Sequence, residues 1–130
     1  MKGIGVDLCE VDRMRTALER TPTLRDRVFT QAEQAYCDRR ADPSERYAAR
    51  WAAKEAVLKA TGEGLNREMT DVEVTTPQRP PELLCMRGGP TPPCSMASIT
   101  ADGYTGAVAV LAARRVGFTF VDAPVSALTR

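Results

Sequence analysis

Tyr47–Gly64, YAARWAAKEAVLKATGEG, is the stretch whose reading decides the fold. At about 100° per residue around an α-helix, Tyr47, Trp51, Val57 and Leu58 form a bulky apolar stripe. Ala48, Ala49, Ala52, Ala53, Ala56 and Ala60 cover most of the remaining circumference. No broad polar face is left, so the helix is expected to be buried, its alanines admitting neighbouring backbones closely. Arg50, Lys54, Glu55 and Lys59 lie on the borders of the bulky stripe. A charge on a buried helix must be paired, bind an ion or ligand, or reach solvent along its stem. Three cations against one carboxylate do not cancel, and the surplus suits a polyanion such as a pyrophosphate. A plain i, i+4 surface pair of Glu55 with Lys59 is the bland alternative. Of 18 basic residues only Lys2, Lys54 and Lys59 are lysines. Two lysines within six residues, where arginine is the default, suggest positions that need a compact ammonium.

Outward from this helix, Asp42-Pro43-Ser44-Glu45 reads as the capping box that starts it, with Pro43 at N1, and Gly62 and Gly64 close it. Thr30-Gln-Ala-Glu33 is a second capping box, opening a helix through about Arg40. Thr21-Pro22 reads as an N-cap and N1 pair before a short helical turn. Val11, Met14 and Leu18 give an amphipathic helix from about Glu10 to Arg20. Between residues 13 and 27 five arginines face two acids, Glu19 and Asp26, which makes either a solvated face or a docking patch for an acidic partner. Gly3–Leu8 alternates as an opening strand and ends in the acidic cluster Asp7, Glu10 and Asp12. Beyond residue 70 the period becomes two. Val72, Val74 and Leu83, Leu84, Met86 read as strands joined by the turn Pro77–Pro81, and residues 95–100 and 105–112 as a hairpin around Ala101-Asp102-Gly103. The piece GFTFV begins the tail at Gly117.

The composition bounds the function. A chain of 130 residues, 43% hydrophobic and 27% charged, is one ordinary globular domain, taken as residues 1–116 with a C-terminal extension, 117–130. No run of 18 apolar residues and no basic-then-apolar leader is present, so the expected location is the cytoplasm, away from any membrane. Cys9, Cys37, Cys85 and Cys94 are widely spaced, and there is no histidine. That pattern speaks for buried free thiols and against structural zinc, and it excludes a Ser-His or Cys-His nucleophile pair within one chain. A net charge of +1 speaks against nucleic acid as a partner.

Three blocks, GIGVDLCEVDRM at 3–14, RVFTQAEQAYC at 27–37 and ARWAAKEAVLKATGEG at 49–64, together resemble the 4′-phosphopantetheinyl transferase superfamily, most closely its holo-(acyl-carrier-protein) synthase type. The resemblance implies an α+β fold with a small, mainly antiparallel sheet packed against the long Ala-rich helix, and a homotrimer with active sites between subunits. It implies transfer of the 4′-phosphopantetheine arm of coenzyme A to a serine of an acyl carrier protein, with Mg²⁺, in fatty-acid or polyketide synthesis. Carried over residue by residue, Asp7 and Glu55 would hold the magnesium. Lys59 would contact the phosphate and assist the leaving group, making Asp7, Glu55 and Lys59 the catalytic set. Arg50, Lys54, Gly62 and Gly64 would line the coenzyme, and Arg13 would meet the carrier. The family's block like His-Val-Ser-Leu-Ser/Thr-His stands here as Met96-Ala-Ser-Ile-Thr-Ala101, without either histidine. The alternatives are a relative that binds coenzyme A or a carrier without transfer, and a domain reused for other chemistry on carrier-bound substrates.

Overall fold

The computed structural model describes residues 2–64, 66–75 and 82–118. Strand β1 (Gly3–Glu10) runs directly into helix α1 (Val11–Arg20), followed by α2 (Leu24–Val28), α3 (Gln31–Asp38) and the long α4 (Pro43–Thr61). A short 3-10 turn, Met69–Asp71, leads to β2 (Val72–Thr75), β3 (Glu82–Met86), β4 (Cys94–Ala101) and β5 (Tyr104–Leu111). All strand pairs are antiparallel, in two sheets: β1-β5-β4 and β2-β3. The α+β architecture expected from the sequence is the one found, divided into two sheets rather than one.

Local chemistry accounts for most boundaries. Thr30 makes the complete capping box with Glu33. Asp42 is the N-cap of α4 but makes no capping bond, because its carboxylate accepts from Arg15 at 3.0 Å instead. The capping box expected there is therefore replaced by a link between α1 and α4. Thr21 ends α1 rather than opening the next helix, and α2 begins two residues beyond Pro22. Asp102 and Gly103 both have positive φ, 54° and 78°, as a two-residue hairpin turn with the strands' own twist requires. The turn Pro77–Pro81, the side chains of Leu83 and Leu84, and residues from 119 onward lie outside the described residues, while Gly117 and Phe118 belong to no strand.

Helix α4 is the axis of the molecule. Its C-terminal half, Ala52 to Ala60, packs with Met96, Ala107, Ala109 and Leu111 of the larger sheet and with Val72, Val74 and Met86 of the smaller one. Its N-terminal turns, through Tyr47 and Ala48, pack with Val11, Met14, Val28, Phe29 and Cys37 of the preceding helices. Small side chains all round the helix allow both clusters to form on one element. The other face of the larger sheet is open: Ile4, Val6 and Leu8 are 54%, 62% and 65% exposed, with Ile99 and Tyr104 also exposed.

Candidate active site

The glycines of β1 bring the strand into backbone contact with α4. A Cβ on Gly5 would lie 1.9 Å from the Ala56 carbonyl oxygen, and one on Gly3 would lie 2.1 Å from that of Ala60. Only glycine permits this approach. Asp7, on the same face of β1 as Gly5, then reaches the helix side chains. Lys59 Nζ donates to Asp7 Oδ1 at 2.8 Å and to the Val6 carbonyl at 3.3 Å. Its hydrogen-bond partner is therefore the strand, not Glu55 as a simple helix-surface pair would have it. Asp7 is 14% exposed at its side chain, against 52% for Lys59, so the carboxylate is shielded while the ammonium meets solvent.

The electrostatics of this cluster are unbalanced toward negative charge. Burial pushes the Glu55 carboxyl above its ordinary range, the Asp7 charge adds to the rise, and Lys59 opposes it. The hydrogen bond to Asp7 is the largest cause raising the Lys59 ammonium. Asp7 Oδ2 is buried and has no hydrogen-bond partner among the described residues. A carboxylate oxygen left in that state is costly unless a cation or a donor completes it. Two carboxylates suit Mg²⁺, which takes few protein oxygens and fills its remaining positions with phosphate oxygens and water. Among the described residues no group of three or more potential ligands converges anywhere, so this site would have the substrate complete the coordination.

Two of the expected coenzyme ligands point elsewhere. Lys54 is fully buried, and its ammonium donates to Glu33 Oε1 at 2.5 Å and to the Val28 carbonyl at 2.6 Å. It is spent inside the protein rather than held toward a ligand, because α4 turns it about 100° away from Glu55 and against α3. Burial lowers its pKa, and the Glu33 charge and hydrogen bond oppose the fall. Glu33 was legible only as a capping residue. That a buried lysine demands a carboxylate was the signal that could have paired them. Arg50 is also buried, its guanidinium 4.2 Å above the Tyr36 ring, and its Nε has no hydrogen-bond partner among the described residues. It lies about 140° around α4 from Glu55, so one copy of the chain does not bring it to the Asp7 cluster.

The remaining predicted residues are accessible. Gly62 caps α4 in the left-handed conformation at φ 72°, with its N–H donating to Leu58 and Lys59 carbonyls. Gly62 and Gly64 are exposed in the turn just beyond Lys59. Arg13 is exposed on α1 and lines a groove of about 330 Å³ with Leu8, Cys9, Glu10, Met14, Ala17, Leu24 and Trp51. The groove opens beside the end of β1 that carries Asp7. Arg15 pairs with Asp12 and Asp42, and Arg25 with Asp38, whereas Arg13, Arg20 and Arg27 make no ion pair among the described residues. Of the two positions without histidine, Met96 is buried core opposite Ala109, and Ala101 is exposed at the hairpin. No helix among the described residues is long and apolar enough to cross a membrane.

Known proteins resemble this chain in sequence and in fold. The family model of the 4′-phosphopantetheinyl transferase superfamily matches residues 3–109. The holo-[acyl-carrier-protein] synthase of Moorella thermoacetica is 49% identical over 57% of this chain and 59% of its own length. That of Clostridium tetani is 40% identical over 67% of this chain and 70% of its own. The matched stretch thus spans between about half and two thirds of most such relatives. The crystal structure of the Bacillus anthracis holo-(acyl-carrier-protein) synthase in complex with CoA (3′,5′-ADP) superposes with a TM-score of 0.72 at 27% identity, covering 85% of this chain and 95% of that one. With the three sequence blocks, the α+β fold and the family match in agreement, the chain belongs to the holo-(acyl-carrier-protein) synthase type of the 4′-phosphopantetheinyl transferase superfamily.

Proposed function

We propose that this protein transfers the 4′-phosphopantetheine arm of coenzyme A to a serine of an apo acyl carrier protein, with Mg²⁺, releasing adenosine 3′,5′-bisphosphate. The observation that carries the reading is Asp7 set against Glu55 and Lys59, with one Asp7 oxygen buried and unpartnered. The serine oxygen bonds to the phosphorus of the arm as the pyrophosphate P–O bond breaks, and the serine proton passes to a water held at Asp7 or Glu55. No histidine is needed for that role. Asp7 and Glu55 would hold Mg²⁺, which when bound supplies neutralisation of the pyrophosphate charge. The accessible Lys59 ammonium contacts the phosphate and stabilises the departing bisphosphate. Gly62 and Gly64 leave the backbone beyond Lys59 open to the nucleotide. The Bacillus anthracis relative, solved with CoA, supports coenzyme A as the donor.

The carrier docks along the groove beside Arg13. Its occupant is an acidic protein surface, because Arg13 lines the groove and Arg20 and Arg27, on the same two helices α1 and α2 that flank it, are exposed, all three without an ion pair among the described residues, and such an encounter weakens with salt. The open apolar face of β1 supports the homotrimer that the resemblance implies. The carrier belongs to fatty-acid or polyketide synthesis in the cytoplasm. A second reading, binding of coenzyme A or a carrier without transfer, is favoured by Met96 and Ala101 at the histidine positions.

The test is the intact mass of an apo carrier protein after incubation with this protein, coenzyme A and Mg²⁺, with EDTA as control. A metal-dependent gain of one phosphopantetheine arm is the expected result. No gain across several carriers, with coenzyme A binding still measurable by calorimetry, moves the function to the second reading.

A further inference from the structure

The buried pair Lys54–Glu33 has no place in the chemistry above, yet it is heavily tied, with four directed hydrogen bonds among the described residues. Lys54 Nζ donates to Glu33 Oε1 at 2.5 Å and to the Val28 carbonyl, the last of α2, at 2.6 Å. Glu33 also accepts from the Thr30 N–H at 2.9 Å and, through Oε2, from the Val74 N–H of β2 at 3.0 Å. The side chains are 0% and 1% exposed. One ion pair thus joins α2, α3, α4 and β2. A buried ion pair is an inefficient source of stability, since apolar residues of the same volume usually serve as well, but its directed bonds fix geometry.

The geometry fixed here is that of the groove beside Arg13. One wall of the groove is Trp51 on α4 and another is Leu24 on α2. Lys54 follows Trp51 by three residues, so the two side chains lie one turn apart on about the same side of α4, and the Val28 carbonyl ends the five-residue helix that Leu24 begins. The Lys54–Val28 bond is therefore a rung that holds the two walls at a set distance, and Glu33 holds the rung in place.

We propose that Lys54 and Glu33 are positioning residues for the carrier protein, setting the width of the Arg13 groove and hence the placement of the carrier serine against Asp7. This rests on the transfer reading. Both side chains are buried and bonded to protein partners, so the pair acts on the carrier and not on the coenzyme.

The test compares wild type with Glu33→Gln/Lys54→Met, which removes both charges and keeps both shapes, and with Glu33→Gln alone. Folding is followed by circular dichroism, transfer by carrier mass, and coenzyme A affinity by calorimetry. The expected result is a folded variant whose kcat/KM for the carrier falls about tenfold or more, as small misplacements of a reacting group cost, with coenzyme A affinity within about twofold of wild type. A folded variant with unchanged carrier kinetics overturns the proposal, as does lost coenzyme A affinity, which would return Lys54 to the coenzyme. If both variants fail to fold, the pair is structural and the proposal also falls. A wild type that transfers nothing instead refutes the functional reading on which it stands.

Discussion

Cys37 shows what complete burial does to an ionisable group. Its thiol lies against Phe29, Tyr47 and the helices around them, and desolvation pushes it from 9.0 up to about 12. The unfolded thiol ionises near 9.0 while the folded one does not, so its stabilising effect is full below pH 9 and is lost as pH rises from 9.0 to about 12. Denaturant midpoints of wild type should therefore fall more steeply above pH 9 than those of Cys37→Ala; parallel slopes would contradict this. Gly62 makes a second case at the same scale. Its φ of 72° is strained for any side chain, although the space around it is empty. Gly62→Ala should therefore cost about 1 kcal/mol through backbone conformation alone, read as a lower thermal midpoint. The residues of the site were legible in the same unequal way. Glu55 and Lys59 stood out as charges beside an apolar stripe, and Asp7 as an acid at the end of the opening strand. The spending of Lys54 on Glu33 was not visible, because it depends on which face of α4 meets α3.

For whole elements, the decisive contact is β1 against α4. Gly3 and Gly5 let strand and helix backbones touch, and a methyl at Gly5 would sit 1.9 Å from a carbonyl oxygen that cannot rotate aside. Gly5→Ala should therefore push the strand off the helix, at a cost of about 1–3 kcal/mol, and lift Asp7 away from Lys59. Transfer should fall by more than the loss of folded protein explains, measured as rate per folded molecule at a temperature well below the transition. Equal loss of both would show that the contact is only structural. Element identity followed well from local chemistry: the Thr30 capping box, Pro43 and Gly62 around α4, and Asp102-Gly103 in the hairpin. What failed locally failed for a tertiary reason, as when Arg15 drew Asp42 away from its capping role. The pairing of β1 with β5, about a hundred residues apart, and the separation of β2-β3 into a second sheet had no local signal at all.

The molecule as a whole leaves one face unfinished. Ile4, Val6 and Leu8 form an exposed apolar row on β1, an edge strand of its sheet among the described residues. In solution that surface should be covered by further copies of the chain. Light scattering coupled to gel filtration should give a trimer for wild type and a smaller species for Val6→Asp. A monomeric wild type would contradict the assembly. The central claim, that Asp7 and Glu55 form the centre of a phosphopantetheine transfer site, is tested most directly by carrier mass after incubation with wild type and with Asp7→Asn, both confirmed folded. Wild type should add one arm in the presence of Mg²⁺, and the variant should be slower by at least about 100-fold. Equal transfer by the two proteins would contradict the account.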